Sequence, residues 1–438
     1  MAKPKLALIP AAQGSKFYSV LPSSGVGDFD FTRSGSATRI NSQGLIETVA
    51  NGISRLNYPL IDGKVVGCPS HLLEPQRSNL VTYSEDFSQS YWIKENTLIT
   101  SNSVISPDGT LSADKIIATA TNSSHSVFVS LSSSISAGTS YCYSFFAKAE
   151  EYTKTAIRIG GSGYSTQPMA VINLLNGSVV SQQGFINLSV KDFSNGWYKI
   201  NAVFTATSSV APNIQPIADG FTTILDNYTY NGDGTSGIYI WGAMFEQGSY
   251  PTSYIPTNGS TVTRSAETAN NSGDASTFND SEGVLMVEIS GFNETVSANN
   301  WISLTDGTTN QNNYVSIQQD TSGNIISRVR VNGVNSAVLY STIIDQSLSS
   351  KIAIKYKLND FSLYVNGFEY DSDNVGSIFS TNTLSKLSFD YNSLSNPFYG
   401  NTKQVQYYDS ALTDSDLETL TSWVSFSDMA NGQLYTIQ

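Results

Sequence analysis

The residues of this sequence that are best suited to contact a sugar lie in polar loops that combine amides with aromatic rings. Asn300-Trp301 and Asn313-Tyr314 each place a side-chain amide directly before a large ring. Sugars present C–H faces that stack on aromatic rings and hydroxyl groups that pair with amides. The sequence therefore predicts glycan contacts at Trp301, Tyr314, Asn300 and Asn313, and the alternative is that these residues form ordinary solvated turns.

A cation site is a second possibility, in the Gly-rich stretch 226–237. Asp226, Asn231 and Asp233 offer oxygen atoms there, and Ca²⁺ binds several oxygen ligands held on loops. The same residue types also dominate ordinary turns, and the spacing does not match an EF-hand loop. The sequence therefore allows a structural Ca²⁺ ion in this stretch and indicates no other cofactor.

Catalytic chemistry has less support than binding. The chain contains two histidines, His71 and His125, so a Ser/His/Asp hydrolase would depend on one of them. No G-x-S-x-G motif accompanies the Ser70-His71 pair, and the short repeats of a parallel β-helix are absent from the sequence. We expect that the protein is not an enzyme, and a glycan depolymerase is kept as the third functional alternative.

Composition narrows the range of partners. The 438 residues carry 23 Lys and Arg against 36 Asp and Glu, which gives a net charge of −13. Such a chain is poorly suited to electrostatic binding of nucleic acid or of an anionic membrane. No apolar run approaches the ~18 residues of a membrane span, and the N-terminal apolar stretch is shorter than the roughly 7–15 residues of a signal-peptide core. We therefore expect no nucleic-acid partner, no membrane insertion and no secretion signal.

The elements that must position these residues are predicted to be β-strands. Apolar and polar residues alternate with a period of two, and the segments end at the turn dipeptides Asn176-Gly177, Asn195-Gly196, Asn332-Gly333 and Asn366-Gly367. This pattern is typical of antiparallel hairpins. Within 237–248 the alternation places Trp241 and Ala243 on one face of a buried strand. Segment 361–370 is predicted as another strand, and a single helix is predicted over 413–423, capped by Thr413.

The predicted fold class is all-β, with an extended N-terminal arm followed by two antiparallel β-sandwich domains of the jelly-roll or concanavalin-like type and one short C-terminal helix. The predicted division is an arm over 1–80, a first sandwich over 81–256, a linker over 257–280, a second sandwich over 281–425 and a tail over 426–438. Strand-rich stretches define the sandwiches, and polar or irregular composition defines the arm and the linker.

Three segments, in order, resemble structural proteins of phage virions, of the tail-fibre and head-fibre type. They are DFDFTRSGSATRINSQGLIETVANGISRLNYP at 28–59, GCPSHLLEPQRSNLVTYSEDFSQSYW at 67–92 and YIWGAMFEQGSYPTSYIPTNGSTVTRSAE at 239–267. The last domain, with YYDSALTDSDLETL at 407–420, resembles laminin-G or concanavalin-like domains, and the first sandwich is similar to a carbohydrate-binding module.

The resemblance implies a fibre or adhesin-like protein on the virion surface, assembled in the host cytoplasm, with a homotrimer as the expected oligomer. Its implied partners are other virion proteins of the capsid or tail and a glycan or receptor of the host surface. The alternative is a capsid-decorating or head-fibre protein that stabilises the shell.

Virion anchoring is expected in the N-terminal arm. The candidate anchoring residues are Lys3, Lys5, Phe17, Tyr18, Arg33 and Arg39. Guanidinium groups suit carboxylates and carbonyls of a neighbouring protein. The alternative for the arginines is pairing within the chain, with Glu47, Glu74 or Asp28.

Overall fold

The structure is a computed structural model that describes residues 2–9, 12–13, 16–131, 135–207, 209–217, 229–292, 300–391 and 396–423, with side chains described outside 11–17. Nearly all of its secondary structure is β-sheet, as the sequence predicts. Among the described residues, no helix has the length and apolar character needed to cross a membrane.

The strands of the N-terminal region are short. They are β1 (Leu6–Leu8), β2 (Ala12–Gln13), β3 (Lys16–Phe17), β4 (Phe29–Thr32), β5 (Ala37–Ile40), β6 (Ile46–Val49), β7 (Arg55–Asn57), β8 (Leu60–Ile61), β9 (Lys64–Val65), β10 (Ser70–Leu73) and β11 (Arg77–Asn79).

The strands between residues 93 and 247 include several of seven or more residues. They are β12 (Ile93–Glu95), β13 (Thr97–Ile105), β14 (Leu111–Ala118), β15 (Asn122–Ser123), β16 (Ser126–Phe128), β17 (Ser140–Ala149), β18 (Lys154–Gly160), β19 (Met169–Asn173), β20 (Val179–Gln183), β21 (Asn187–Asp192), β22 (Trp197–Thr205), β23 (Ala211–Ile217), β24 (Tyr230–Asn231) and β25 (Gly237–Gln247).

The C-terminal region has the remaining strands and a helix. They are β26 (Val262–Arg264), β27 (Thr268–Asn270), β28 (Glu282–Ser290), β29 (Asn300–Thr305), β30 (Tyr314–Gln319), β31 (Ile325–Val331), β32 (Val334–Tyr340), β33 (Ser350–Lys357), β34 (Asp360–Val365), β35 (Phe368–Asp373), β36 (Lys386–Ser388), β37 (Gly400–Tyr408) and helix α1 (Asp414–Ser422).

The first sandwich is built from two six-stranded antiparallel sheets that enclose one apolar core. One sheet has the strand order β13-β14-β25-β17-β22-β21, and the other has the order β12-β16-β23-β18-β19-β20. Phe145 and Ile200 enter the core from the first sheet, and Ile157 enters it from the second. Every second side chain of these strands faces the core, which explains their alternating sequence pattern.

The outer face of the sheet that contains β17, β22 and β25 is also buried. It carries a second apolar cluster that includes Phe146, Trp197 and Trp241. Ile40 and Ile46 from the N-terminal hairpin β5–β6 pack against this cluster. The hairpin therefore acts as a third layer over the first sandwich.

The second sandwich packs a sheet of eight strands against a sheet of five. The larger sheet has the order β35-β34-β33-β28-β37-β10-β7, with β1 added along β37, and the smaller has the order β32-β31-β30-β29-β36. Leu285 of the larger sheet meets Ile302 and Val315 of the smaller one in the core. Helix α1 covers the opposite face of the larger sheet through Leu417 and Leu420.

The segment predicted as an extended arm is paired into the second sandwich. Strands β1 and β10 lie end to end along β37, and Phe29 and Phe31 of β4 enter the core of this sandwich. Burying each ring contributes about 1.5–3 kcal/mol to folding. The segment predicted as a linker forms β26 and β27, which pair with β11 and β4. The proposed domain boundaries remain a prediction, but the arm and the linker join the sandwiches along their length.

The helix predicted over 413–423 is confirmed. It begins one residue later and ends one residue earlier than predicted. Thr413 precedes Asp414–Ser422, and its side-chain oxygen accepts a hydrogen bond from the Asp416 backbone N–H at 3.2 Å. Asp414 and Asp416 lie in the first turn, where negative charge is favourable. The backbone turns away at Trp423, which has φ −51° and ψ 127°.

The predicted hairpin turns are mostly confirmed. Asn195-Gly196, Asn332-Gly333 and Asn366-Gly367 have positive φ at both residues, as a type I′ turn requires. At Asn176-Gly177 only the glycine has a positive φ, so this turn is of another type. The prediction of one strand over 361–370 is wrong, because the turn at 366–367 divides it into β34 and β35.

Candidate functional site

The outer face of the five-stranded sheet is the part of the second sandwich that collects the predicted sugar-contact rings. On β29 and β30, Ile302, Leu304, Val315 and Ile317 point into the core. The intervening residues point away from it, and Trp301 is paired with Gln318 across the two strands. We call this surface the polar face, and its central members are Trp301, Ser303, Tyr314, Ser316, Gln318, Arg328 and Arg330.

Three aromatic rings pack together on the polar face. The ring centroids of Trp301 and Tyr391 are 4.1 Å apart, and those of Tyr314 and Tyr391 are 5.4 Å apart and nearly perpendicular. Trp301 is 5% exposed and Tyr314 is 1% exposed. Both rings are therefore packed within the protein. They do not present an open stacking surface to a sugar, contrary to the prediction from the sequence.

Two arginines bring positive charge to the same face. The Arg328 guanidinium carbon lies 5.4 Å from the Trp301 ring centroid, a distance typical of a cation–π contact. Arg328 also donates a hydrogen bond of 2.5 Å to Gln318 Oε1. Arg330 reaches Asn335 Oδ1 at 3.5 Å. Both arginines are half-buried, so their free N–H groups remain accessible at the surface.

The polar face also contains buried polar atoms that lack a partner. Among the described residues, no hydrogen bond reaches Trp301 Nε1, Ser316 Oγ or Arg330 Nε. Such groups usually find a partner, because leaving one unpaired in a protein interior costs about 1–3 kcal/mol. These three atoms are themselves buried, so the exposed surface of the face comes mainly from its arginines.

Burial affects the ionisation of this region as well. The pKa of Tyr314 is raised to about 12, first by burial and then by its contact with the Tyr391 hydroxyl. Tyr314 is therefore a neutral hydroxyl at ordinary pH, and the positive charge of the face comes from Arg328 and Arg330.

The two predicted amides lie at the edges of this arrangement. Asn300 is buried, and its Nδ2 lies 3.5 Å from Gln319 Oε1. Asn313 donates to Asp306 Oδ2 at 3.1 Å and accepts from the Asn332 backbone N–H at 2.8 Å. The Asn313 amide is thus used to hold its own loop. The predicted contacts of Trp301, Tyr314, Asn300 and Asn313 with sugars remain a prediction.

Sequence reasoning did not select Arg328, Gln318 or Tyr391. Arg328 lies in the strand sequence IISRVRV, where alternation with Val329 and Val331 is the available signal that it points outward. No local signal pairs Tyr391 with Trp301, because the two residues are 90 positions apart in sequence and meet only through the sheet.

The predicted cation site is only partly described. Asp226 lies outside the described residues, and Asn231 pairs with Asn122 between β24 and β15. Asp233 accepts hydrogen bonds from the backbone N–H groups of Thr235 and Ser236 at 2.8 and 2.7 Å. A hydrogen bond from the Ser236 hydroxyl, together with these two backbone bonds, lowers the pKa of the Asp233 carboxyl. Within the described ranges, no group of three or more metal-binding side chains occurs.

A buried cluster of charged residues connects the N-terminal region to both sandwiches. We call it the ionic junction; its members are Arg33, Arg55, Glu74, Arg264 and Glu267, whose side chains are at most 2% exposed. Glu267 Oε1 accepts from Arg33 Nη1 at 2.8 Å and from Arg55 Nε at 2.9 Å. Glu74 Oε2 lies 2.9 Å from both Arg55 Nη2 and Arg264 Nη1.

Both carboxylates of the ionic junction have further partners. Glu74 accepts from the backbone N–H and the hydroxyl of Ser253 at 2.8 and 2.6 Å. Glu267 Oε2 accepts from the Glu74 backbone N–H at 2.9 Å. Burial by itself would raise the pKa of Glu74, but the guanidinium groups of Arg264 and Arg55 outweigh it and lower the pKa to about 2.

Every member of the ionic junction lies in one of the three segments that carry the resemblance. Arg33 and Arg55 lie in 28–59, Glu74 in 67–92, and Arg264 and Glu267 in 239–267. The matching residue types are therefore explained by the need to build a buried charge cluster in which each carboxylate meets two arginines.

The structure corrects the anchoring expectation for Arg33. Its guanidinium is buried and bound to Glu267 and to the carbonyls of Gly35 and Ala50, so it is not available to another protein. Arg39 pairs with Glu47 at 2.9 Å, and Arg55 pairs with Glu74. The alternative of pairing within the chain is thus the observed one for these arginines.

The other anchoring candidates lie near the surface. Lys3 is exposed, Tyr18 is 39% exposed, and Lys5 is 3.8 Å from Asp409 in an exposed ion pair. Phe17 belongs to β3, and its side chain lies outside the described residues. Their role in anchoring remains a prediction.

Comparisons with known proteins found no matching family model and no matching curated protein. Among solved structures, the chain is similar to the CBM40 of the Ruminococcus gnavus IT-sialidase bound to alpha2,3 sialyllactose, with 17% identity, a TM-score of 0.30, and coverage of 35% of this chain and 93% of that chain. It is also similar to the native heptameric SAP-like pentraxin from Limulus polyphemus, with 14% identity, a TM-score of 0.26, and coverage of 33% and 71%. Likenesses at these identities and TM-scores do not determine what this chain binds.

Proposed function

We propose that this protein is a structural component of a phage virion surface, of the fibre or adhesin type, which contacts host glycans through the polar face. The observation that carries the proposal is the pair of half-buried arginines, Arg328 and Arg330, that accompanies the Trp301 and Tyr314 rings on this face. Sugar hydroxyl groups accept hydrogen bonds from guanidinium N–H groups. The three segments similar to virion proteins support the virion part of the proposal.

Binding is proposed in preference to cleavage because of the chemistry of the polar face. Its central side chains are rings, amides, hydroxyls and guanidinium groups. Glycoside hydrolysis usually needs two carboxyl groups, about 5–10 Å apart, on either side of the scissile bond. Glycan depolymerase activity remains the third alternative, and release of reducing ends from host polysaccharide by the intact chain would support it.

A glycan array probed with the full chain tests the proposed site. Arg328→Gln and Arg330→Gln remove charge from the polar face while keeping the stems of these half-buried side chains. Lys357→Gln is the matched control, because Lys357 is an exposed strand residue paired with Glu282 at 3.2 Å. We expect both arginine variants to lose array signal and the lysine variant to keep it. An unchanged signal in both arginine variants would contradict the site.

A capsid-decorating or head-fibre role is the second candidate, and one surface feature favours it. Tyr18, Val20 and Val26 are 39%, 44% and 38% exposed within one N-terminal segment, and they form apolar surface that another virion protein would cover. Substituting all three with Ser should abolish incorporation into particles if this segment is the anchor. The homotrimer is proposed by analogy with fibre proteins, and light scattering of the full chain measures it.

A further inference from the structure

A cavity of about 200 Å³ lies on the outer face of the first sandwich, well separated in sequence from the polar face. Its floor is formed by β21 and β22. Its walls come from the hairpin β5–β6, from the segment 251–254 and from Leu72, Phe292 and Asn401 on the side of the second sandwich. The polar residues in its lining include Arg39, Lys191, Lys199 and Asn201. Positive charge is thus concentrated in one cavity of a chain whose net charge is −13.

Two lysines face this cavity from directly opposite positions on neighbouring strands. Lys191 on β21 and Lys199 on β22 are Cα partners in the antiparallel register. Like charges in such a pair repel each other and destabilise the sheet. Lys199 donates to the Thr252 carbonyl at 3.1 Å, and burial lowers the pKa of its ammonium group. An anion placed between the two ammonium groups would relieve this repulsion.

The protein does not supply that anion from the described part of the chain. No carboxylate in the described ranges lies within 4 Å of the ammonium group of Lys191 or Lys199, whereas Arg39 already has Glu47 at 2.9 Å. Glu74, the nearest lining carboxylate, is bound by Arg55 and Arg264 in the ionic junction. Lys191 is exposed and forms no ion pair within the described ranges, whereas Lys199 is attracted by the carboxylates of Glu246 and Glu74 without an ion pair to either.

Asn201 adds a second requirement on the ligand. It is 2% exposed, and its Nδ2 donates to Ser189 Oγ at 3.2 Å, while its Oδ1 has no hydrogen-bond partner. Asn201 lies two residues from Lys199, on the same face of β22. An occupant that satisfies this cavity must carry a negative charge and also a hydroxyl donor.

Two aromatic rings also line the cavity. Phe146 and Phe193 line the cavity, and the Lys199 ammonium lies 5.8 Å from the Phe146 ring centroid. A small inorganic anion has no apolar surface to place against these rings. A sugar ring has C–H faces that suit them.

We propose that this cavity binds a monosaccharide unit that carries a carboxylate, of the uronic-acid class. The carboxylate lies between Lys191 and Lys199, a sugar hydroxyl donates to Asn201 Oδ1, and the ring packs against Phe146 and Phe193. This inference extends the proposed glycan contact to a second site with different residues. Failure at either site is therefore distinguishable from failure at the other.

Titration of the full chain with D-glucuronate, D-glucose and acetate tests the proposal. We expect glucuronate to bind, and both glucose and acetate to bind at least about tenfold more weakly, since each lacks one of the two required interactions. Equal binding of acetate would overturn the sugar part of the proposal, and equal binding of glucose would overturn the carboxylate part. No saturable binding of glucuronate would overturn it entirely.

Single-residue variants of the full chain test whether glucuronate binds in this cavity. Lys191→Gln should weaken glucuronate binding about tenfold or more, whereas Lys357→Gln and the polar-face variant Arg328→Gln should leave it unchanged. Asn201→Asp places a carboxylate beside the lysines within the protein itself, so it should abolish glucuronate binding while the thermal midpoint stays the same or rises. A Lys191→Gln variant that binds glucuronate as tightly as the wild type would contradict the site.

Discussion

The ionic junction and the polar face both bury charged or polar side chains, but they differ in how completely those groups are paired. In the junction, both carboxylates are fully used: Glu74 by two arginines and Ser253, and Glu267 by two arginines and a backbone N–H. On the polar face, Trp301 Nε1 and Ser316 Oγ have no partner among the described residues. The fully paired carboxylates indicate a structural role for the junction, although Arg264 Nε has no partner there. Among the described residues, the half-buried arginines of the polar face have fewer partners.

The two regions also differ in what they connect. The junction joins β7 and β10 of the larger sheet of the second sandwich to the segment 251–267, which leaves the first sandwich. Its charges cannot be removed singly without leaving an uncompensated partner in the interior. The polar face lies on one sheet and can change its charge without such a consequence. Four measurements test this difference between the two regions.

The largest effect is expected from removing the central arginine of the junction. Arg55→Met leaves Glu74 and Glu267 buried with fewer cations, so the free energy of unfolding should fall by about 3–5 kcal/mol. Denaturant unfolding of the full chain measures this loss. A loss below about 1 kcal/mol in the free energy of unfolding would contradict a structural role for the ionic junction.

The next largest effect is the pH dependence of stability. The pKa of Glu74 is about 2 in the folded protein and is ordinary in the unfolded chain. Its ionised form therefore stabilises the fold above pH ~4.5, and this contribution, up to about 3 kcal/mol, is lost as the pH falls toward 2. Burial raises the pKa of Glu246, which acts in the opposite sense. The Glu74→Gln variant should therefore show a weaker acid-side loss than the wild type, in parallel unfolding curves.

A smaller effect on stability, with a clear effect on binding, is expected on the polar face. Arg328→Gln removes the cation over Trp301 and the donor to Gln318. Glycan affinity should fall about tenfold, and the free energy of unfolding should change by less than about 1 kcal/mol. Isothermal titration and denaturant unfolding of the same sample give both values. A stability loss as large as that of Arg55→Met would place the polar face among the structural elements.

The smallest effect is expected for Arg39, whose pair with Glu47 is partly exposed. Its side chain is 26% exposed and that of Glu47 is 43% exposed. Such pairs contribute about 0–1 kcal/mol, because solvent screens them. Arg39→Gln should therefore leave the unfolding midpoint nearly unchanged. A loss comparable to that of Arg55→Met would show that burial does not distinguish the two arginines.

Local sequence determined the strands, the turns and the helix. Asn332-Gly333 and Asn366-Gly367 close hairpins because these residues tolerate positive φ, and Thr413 begins the helix because its hydroxyl satisfies the Asp416 N–H. These features depend on neighbours within a few residues. The all-β class of two sandwiches follows from many such segments in succession.

Tertiary structure decided the faces and the partners. The predicted common face of Trp241 and Ala243 is wrong, because Gly242 has a φ of 65° at a β-bulge and Trp241 and Ala243 belong to different apolar clusters. The bulge arises from the pairing between β17 and β25, so the alternation of residues in the sequence does not reveal it.

The same holds for the two regions compared above. Glu267 is separated from Arg33 by 234 residues and from Arg55 by 212, so sequence order could not indicate their contact. The residues after Trp301 alternate in a way that fits either an exposed or a covered strand. The Tyr391 ring packs against the Trp301 ring, which is buried. The residue types and most of the longer strands that carry them follow from the sequence. The packing of strands distant in sequence determines which charges are neutralised and which polar atoms have no partner among the described residues, because both depend on what lies opposite in space.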